Sequence, residues 1–267
     1  MLGAILGDII GSPYERYNHK SKDFRLFRLK SRCTDDSVMT IAVAEALVSA
    51  KEGGCLEDEA AVKDLLIDAM HKWGNKYPHA GYGGRFRAWL QYEEREPYNS
   101  WGNGSAMRVS PAGWMGEDME TVRRLARWSS EVTHNHPEGV KGAEAVAAAI
   151  YLARNGSTKE EIKAYIESEF GYDLDRTCDE IRPVYIFDVS CQGSVPESII
   201  AFLDGEDFED TVRNAVSIGG DSDTIAAMAG SIAEAFFGIP EWLEQKAFGY
   251  FDEEMEIVYK RFQEAKE

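Results

Sequence analysis

Acidic and hydroxyl side chains gather at two places in the sequence, each time directly before an apolar stretch. The first place is TDDS, residues 34–37, and the second is GGDSDT, residues 219–224. Carboxylate and hydroxyl oxygens are hard ligands that suit Mg²⁺, Mn²⁺ or Ca²⁺ better than zinc. Together they could serve two neighbouring ions, as in many hydrolytic sites. The candidate metal ligands are Thr34, Asp35, Asp36, Asp221, Asp223 and Thr224.

Both motifs also have an ordinary structural explanation. Threonine and aspartate are common helix N-caps, and acids in the first turn interact favourably with the helix dipole. A single acid is enough for a cap, whereas each motif carries two. If the two helix starts meet in space, their four carboxylates repel one another strongly unless cations intervene. The metal hypothesis therefore depends on whether the fold brings the motifs together.

The stretches that follow the two motifs have the periodicity of helices. Apolar residues recur at i, i+3, i+4, i+7, i+8 and i+11 over residues 39–50, and with the same spacing over residues 225–236. Pro137 is expected to open another helix, which closes at Asn155 and Gly156. Further helices are predicted over residues 57–74, 118–131, 158–169, 206–218 and 241–265.

Few segments favour anything other than helix. VYIFDVS, residues 184–190, is the best strand candidate, and the glycine-rich segments 74–84 and 100–116 are predicted to be loops. We therefore predict one mainly α-helical domain over residues 1–267.

Composition narrows the class of protein. The 267 residues carry a net charge of −18, which disfavours broad non-specific binding to nucleic acid. No apolar run approaches the ~18 residues of a membrane span. The N-terminal stretch lacks a basic region and carries Asp8, so we do not interpret it as a signal peptide. Four cysteines without CxxC spacing suggest free thiols in a reducing compartment, so we expect a cytoplasmic protein. We also expect the protein to be a monomer.

Five motifs in a fixed order carry a family resemblance. They are GAILGDIIGSPYE (3–15), TDDS (34–37), GNGSAMR (102–108), THNHPEG (133–139) and GGDSDT (219–224). In this order the set resembles the ADP-ribosylglycohydrolase family. The resemblance implies an all-α fold of orthogonally packed helices. It also implies a central cleft with two Mg²⁺ or Mn²⁺ ions. The expected reaction is hydrolysis of the C1″ glycosidic bond of ADP-ribosylated protein side chains or of O-acetyl-ADP-ribose, which releases ADP-ribose.

The resemblance also implies roles for particular residues. Thr34, Asp35 and Asp36 match the family's first group of metal ligands, and Asp221, Asp223 and Thr224 match its second. Glu15 matches a glutamate that the serine-directed branch of the family places near the metals, although a solvated residue after a Pro-Tyr turn is the simpler structural interpretation. The catalytic candidates are Glu15, Asp36 and Asp221.

GNGSAMR and the histidine pair are the candidate substrate contacts. The glycines permit close backbone approach to a ligand, and backbone N–H groups of such loops can bind a diphosphate. The resemblance places Gly104, Ser105 and Met107 at the distal ribose and phosphates, and His134 near the phosphates. Arg108 either contacts phosphate or pins the loop. His136 could pair with His134 on a metal, but with no obvious third soft ligand we expect it to be a helix-entry residue.

Two other functions stay open at this point. A non-catalytic ADP-ribose sensor would be expected to have lost some of the acids, and all four are present. A metal-dependent phosphohydrolase acting on free nucleotides would use a similar two-ion site. The acceptor is also open: arginine, serine, O-acetyl-ADP-ribose, polymer and nucleic acid are all conceivable, and Glu15 favours an O-linked bond.

Overall fold

The computed structural model describes residues 1–92 and 95–266, and every regular element among these residues is a helix. The predicted all-α fold is confirmed. A 3₁₀ turn covers Glu15–Tyr17. The α-helices are α1 (Leu2–Gly11), α2 (Asp35–Glu52), α3 (Glu59–Lys76), α4 (Gly84–Trp89), α5 (Gly104–Met107), α6 (Ser110–Met115), α7 (Met119–Glu131), α8 (Pro137–Arg154), α9 (Lys159–Phe170), α10 (Cys178–Ile181), α11 (Cys191–Leu203), α12 (Phe208–Ile218), α13 (Ser222–Phe237), α14 (Glu241–Phe248) and α15 (Glu253–Ala265).

Helices α1 and α13 lie at the centre and touch through their backbones. Gly3, Gly7 and Gly11 recur every four residues on α1, so they form one stripe along that helix. A Cβ atom added at Gly7 would overlap the carbonyl oxygen of Ala226, and one added at Gly11 would lie 2.5 Å from the Cα of Asp223. Only glycine permits this approach, and it sets Asp223 against the end of α1.

The other long helices surround this pair. Helix α2 packs between α3 and α15, and the alanine-rich α8 packs against α6, α7, α11 and α13. Their buried apolar side chains belong to one continuous hydrophobic cluster with those of α1 and α13. Burial of so much apolar surface is the main force that holds the acidic helix starts in place. The organisation of residues 1–267 as one domain stays a prediction.

Four predictions about elements are corrected. Residues 184–190 do not form a strand; only Ser190 pairs, in an isolated bridge with Gly102. The predicted helix 241–265 is two helices, because the chain turns at Gly249 and Asp252 caps α15 by accepting from the N–H of Met255. The predicted loop 100–116 contains α5 and α6, and the loop predicted at 74–84 begins only after Lys76.

Two further expectations concern the cysteines and membranes. All four cysteines are free thiols, and none lies in a disulfide. Among the described residues, no helix combines the length and apolar character that crossing a bilayer requires.

Candidate functional site

The two acidic motifs meet at the centre of the molecule. Thr34 is the N-cap of α2, and Asp221 is the N-cap of α13. The Thr224 hydroxyl donates to Oδ2 of Asp36 over 3.3 Å, which joins motifs 188 positions apart in the chain. Carboxylate oxygens of Asp8, Asp36 and Asp223 lie within 4.8 Å of one another. The condition on which the metal hypothesis depends is therefore met.

Helix capping does not account for these acids. Asp221 occupies an N-cap position yet its side chain accepts no capping hydrogen bond. Thr34 caps α2 through a long 3.4 Å hydrogen bond from the N–H of Asp36. Oδ1 of Asp36 is buried and has no hydrogen-bond partner. A buried carboxylate oxygen without a partner is costly, so the geometry leaves ligand positions for a cation.

The acids strongly perturb one another's protonation. Burial raises the pKa of Asp35 to about 7 and that of Asp221 to about 6. Burial, with neighbouring carboxylates second, raises the pKa of Asp36 and Asp223 well above the usual aspartate value. Four carboxylates in a site this dry cannot all be ionised without positive charge between them. The donor set, made of carboxylate and hydroxyl oxygens, fits hard divalent ions such as Mg²⁺ and Mn²⁺.

Asp8 also belongs to this site, although no motif in the sequence indicates a role for it. It is fully buried on α1. It accepts from the Thr34 N–H over 2.8 Å and from the Thr34 hydroxyl over 2.6 Å, and also from the N–H and hydroxyl of Ser37. Because the Thr34 hydroxyl donates to Asp8, lone pairs of its oxygen remain for an ion. The available signal was an acid within LGDII, a stretch otherwise apolar on every side.

A cleft of about 430 Å³ opens over the acids. This volume lies in the range of small-molecule sites. The metal-ligand candidates form one part of its lining, and the opposite parts come from loops and short helices. The lining also includes Tyr82, Arg85, Phe86, Tyr98, Asn103, Phe187 and Val189. Asn103 donates from Nδ2 to Oδ2 of Asp221 over 2.7 Å, so the GNG segment directly contacts the second acidic motif.

Glu15, the remaining catalytic candidate, lies in the same cleft. It opens the 3₁₀ turn, lines the cleft and is half-buried. Its charge is close enough to contribute to the raised pKa of Asp35 and of Asp221. The sequence could not distinguish this placement from a solvated turn residue.

Four of the five predicted substrate contacts line the cleft, namely Gly104, Met107, Arg108 and His134. Ser105 does not line it through its side chain, because its hydroxyl donates to the carbonyl oxygen of Gly139 over 2.7 Å and lies beside Cys191. Gly104 is in van der Waals range of the His134 ring, and a Cβ there would lie 3.0 Å from Nε2. The loop therefore rests on the histidine.

Arg108 was predicted either to contact phosphate or to pin its loop, and the structure shows side-chain hydrogen bonds that pin a segment of the chain. Its guanidinium is buried and donates to the Ser129 carbonyl oxygen and to the Thr133 hydroxyl, each over 2.7 Å. It therefore pins the segment that carries His134. Burial lowers the pKa of His134 well below its usual value, so its imidazole is neutral near pH 7. The interpretation of His136 as a helix-entry residue is confirmed, since it caps α8 by accepting from the N–H of Glu138.

The fold and the site together define an all-α protein whose two central acidic helix starts face one ligand-sized cleft. A family model described as ADP-ribosylglycohydrolase matches residues 1–266. The chain belongs to the ADP-ribosylglycohydrolase family.

Individual relatives agree with this membership. The chain is 28% identical to human ADP-ribosylhydrolase ARH3, over 97% of this chain and 90% of the human protein. It is 26% identical to the ADP-ribosylarginine hydrolase Tri1 of Pseudomonas putida (strain GB-1), over 93% of this chain and 73% of that protein. A solved structure described as an ADP-ribosylglycohydrolase-related protein complex superposes with a TM-score of 0.71. At 23% identity, covering 100% of this chain and 97% of the other, it supports the fold alone.

Proposed function

We propose that the protein is a metal-dependent hydrolase that cleaves the C1″ glycosidic bond of an ADP-ribosylated substrate and releases ADP-ribose. Family membership supports the reaction class. The observation that carries the proposal is the meeting of TDDS and GGDSDT, with Oδ1 of Asp36 buried and unpartnered. A chain that needed only helix caps would not keep four carboxylates in this dry cluster.

Six residues would hold two Mg²⁺ or Mn²⁺ ions, namely Thr34, Asp35, Asp36, Asp221, Asp223 and Thr224. When bound, such ions would neutralise the carboxylates and supply Lewis acidity toward ribose and water oxygens. The chain's own contribution is orientation. Asp8 fixes the Thr34 hydroxyl, and Asn103 fixes the Asp221 carboxylate. Carboxylates held in this way need little reorganisation when a substrate binds.

The other side of the cleft would bind the diphosphate and distal ribose. Gly102 and Gly104 present backbone rather than side chains there, and the neutral His134 lies against them. Arg85 and Arg108 supply positive charge on this side, which a dianionic ligand needs in a chain of net charge −18. Ser105 then contributes through its backbone, because its hydroxyl is engaged with Gly139.

Glu15 would act on the attacking water. Cleavage of a glycosidic bond develops oxocarbenium-like positive charge on the sugar, and a water must lose a proton as it attacks. A carboxylate at the edge of the acidic cluster can accept that proton. The match of Glu15 to the serine-directed branch favours an O-linked acceptor, either a serine side chain or an O-acetyl group.

A substrate panel tests the proposal. The protein is incubated with serine-linked and arginine-linked ADP-ribosyl peptides, with O-acetyl-ADP-ribose and with free nucleotides, in Mg²⁺, in Mn²⁺ and in EDTA, and the products are separated. Free ADP-ribose that forms only with metal supports the proposal, and fastest release from an O-linked substrate supports the role of Glu15. Inorganic phosphate released from free nucleotides would instead indicate a phosphohydrolase. Tight binding without any product would indicate a sensor.

A further inference from the structure

Three segments distant in the chain meet beside the acidic cluster. The Gly219–Gly220 turn leads into Asp221, and both of its glycines have positive φ angles of 82° and 65°. A Cβ atom at Gly219 would overlap Oδ1 of Asn18 and lie 2.9 Å from Nζ of Lys20. A Cβ atom at Gly220 would lie 2.7 Å from the Tyr185 ring. The turn is therefore packed against the segment after Glu15 and against the segment that begins at Tyr185.

Lys20 joins these three segments through its ammonium group. Nζ donates to the carbonyl oxygen of Ile218 over 2.6 Å and to that of Tyr185 over 2.7 Å. Ile218 is the last residue of α12, where carbonyl oxygens lack helical partners and a cation is favourable. Burial, with the nearby Arg182 second, lowers the pKa of Lys20, and no acid among the described residues raises it. Its charge is therefore directed at backbone rather than at an acid.

Asn18 makes the second link. It adopts a left-handed conformation, with φ of 44°, and its Oδ1 accepts from the N–H of Gly220 over 3.1 Å. Asparagine tolerates this conformation better than most residues. Asn18 lies three residues after Glu15, and Lys20 lies five residues after it. Their two side chains therefore fasten the Glu15 turn to the turn that leads into Asp221 and Asp223.

We propose that Lys20 and Asn18 are positioning residues that set the distance between the Glu15 carboxylate and the acids of the GGDSDT motif. This inference rests on the proposed function, in which Glu15 acts beside the ions. The same link reaches the cleft wall, because Phe187 and Val189 follow Tyr185 and line the cleft. Lys20 thus links three segments: the turn that carries Glu15, the turn that leads into Asp221, and the cleft-lining segment after Tyr185.

The test compares Lys20→Met with Lys22→Met. Lys22 is two residues away and pairs with Asp210. Its replacement therefore removes a lysine without touching the junction, by which we mean the contacts of Lys20 and Asn18 with Ile218, Tyr185 and Gly220. On the substrate that the wild-type protein cleaves fastest, K20M is expected to lower kcat about 10-fold or more while KM stays within about twofold. K22M is expected to keep both constants. Wild-type kcat in K20M would overturn the proposal.

A double variant separates positioning from general stability. If Lys20 acts through Glu15, K20M adds no further loss in an E15A background. Losses that multiply in the double variant would contradict this. If K20M does not fold, Asn18→Gly removes the Oδ1 acceptor without straining the backbone, and the same comparison is made with it.

Hydrogen exchange provides a readout that does not need turnover. Amides of residues 15–20 and 219–220 are expected to exchange faster in K20M than in wild type, and to be unchanged in K22M. If the wild-type protein cleaves no substrate, the proposed function fails. Amide hydrogen exchange then tests by itself whether Lys20 fastens the two turns. Faster exchange would then support the fastening of the two turns, and unchanged exchange would overturn it.

Discussion

Asp8 illustrates how a residue outside the six predicted ligands can control their geometry. Its carboxylate is buried in the central helix and receives four hydrogen bonds, two from Thr34 and two from Ser37. Burial raises its pKa, while those hydrogen bonds favour the ionised form. A carboxylate that only accepts hydrogen bonds fixes the direction in which both hydroxyl hydrogens point. Thr34 is therefore held with oxygen lone pairs available.

Asp8→Asn is expected to weaken metal binding although it changes none of the six predicted ligands. The amide presents donors where the Thr34 hydroxyl and backbone also donate, so one contact becomes repulsive. Partners of metal ligands typically contribute about 10–100-fold in affinity, and a loss of that size is expected for Mn²⁺. The measurement is Mn²⁺ titration followed by electron paramagnetic resonance.

The control for Asp8→Asn is Ser37→Ala, which removes one donor to Asp8 and leaves both Thr34 contacts. Circular dichroism verifies that both variants fold. Wild-type Mn²⁺ affinity in D8N would show that Asp8 serves packing alone.

At the scale of elements, the site depends on how closely α1 approaches α13. Asp8 of α1 and Asp223 of α13 come close to each other because glycines replace larger side chains along the contact between the two helices. Helix-capping chemistry begins α2 at Thr34, and the Gly219–Gly220 turn begins α13 one residue after Asp221. The position of each ligand is thus set by backbone packing rather than by flexible side chains.

Gly7→Ala tests this contact. The added methyl group overlaps the Ala226 carbonyl group, so the helices must separate, at a cost of about 3 kcal/mol in the free energy of unfolding. Urea denaturation followed by far-UV circular dichroism measures it. Gly84→Ala is the matched control, because nothing lies within 4 Å of its added Cβ. A G7A protein as stable as G84A would mean that the two helices do not touch as described.

Much of the element pattern could be predicted from sequence, because helical periodicity and caps are local. Helices after both acidic motifs, the helix opened by Pro137 and its His136 cap are examples. The failure at residues 184–190 has a physical reason. The segment is rich in β-branched and aromatic residues, which favour strands, yet Val184, Ile186, Phe187 and Val189 are exposed, and Ser190 alone pairs.

The site was predictable where a motif carried it and hidden where only packing did. The six metal-ligand candidates could be named from two short motifs. The contact of Asn103 with Asp221 and the junction at Lys20 join residues more than 100 positions apart, and no local pattern indicates such pairs. The sequence also could not show that the Ser105 hydroxyl turns away from the cleft.

At the scale of the whole molecule, the stability of the protein is linked to the charge of its centre. Without ions, the folded state favours protonated Asp35 and Asp221, whose pKa values are raised to about 7 and about 6. The stability they contribute is complete below the usual aspartate pKa and is lost as pH rises through these raised values. Divalent ions bound at the proposed site would favour the ionised form and oppose that loss.

The melting temperature of the metal-free protein is therefore expected to fall from about pH 5 to about pH 8, while Mg²⁺ reduces the fall. The difference in Tm between Mg²⁺ and EDTA should widen as pH rises. Differential scanning calorimetry at several pH values measures it, with Asp36→Asn as the variant in which the difference shrinks. A difference in Tm between Mg²⁺ and EDTA that is the same at every pH would contradict this linkage.

If TDDS and GGDSDT form one site for two divalent ions, the metal-free protein must bind Mn²⁺ there, and titration with Mn²⁺ measures this binding. Paramagnetic resonance counts bound ions without requiring a substrate. We expect about two bound Mn²⁺ per chain in the wild-type protein. It also predicts that Asp36→Ala and Asp221→Ala, one from each motif, both weaken binding of the pair. No bound Mn²⁺ in the wild-type protein, or unchanged binding in both variants, would contradict the account.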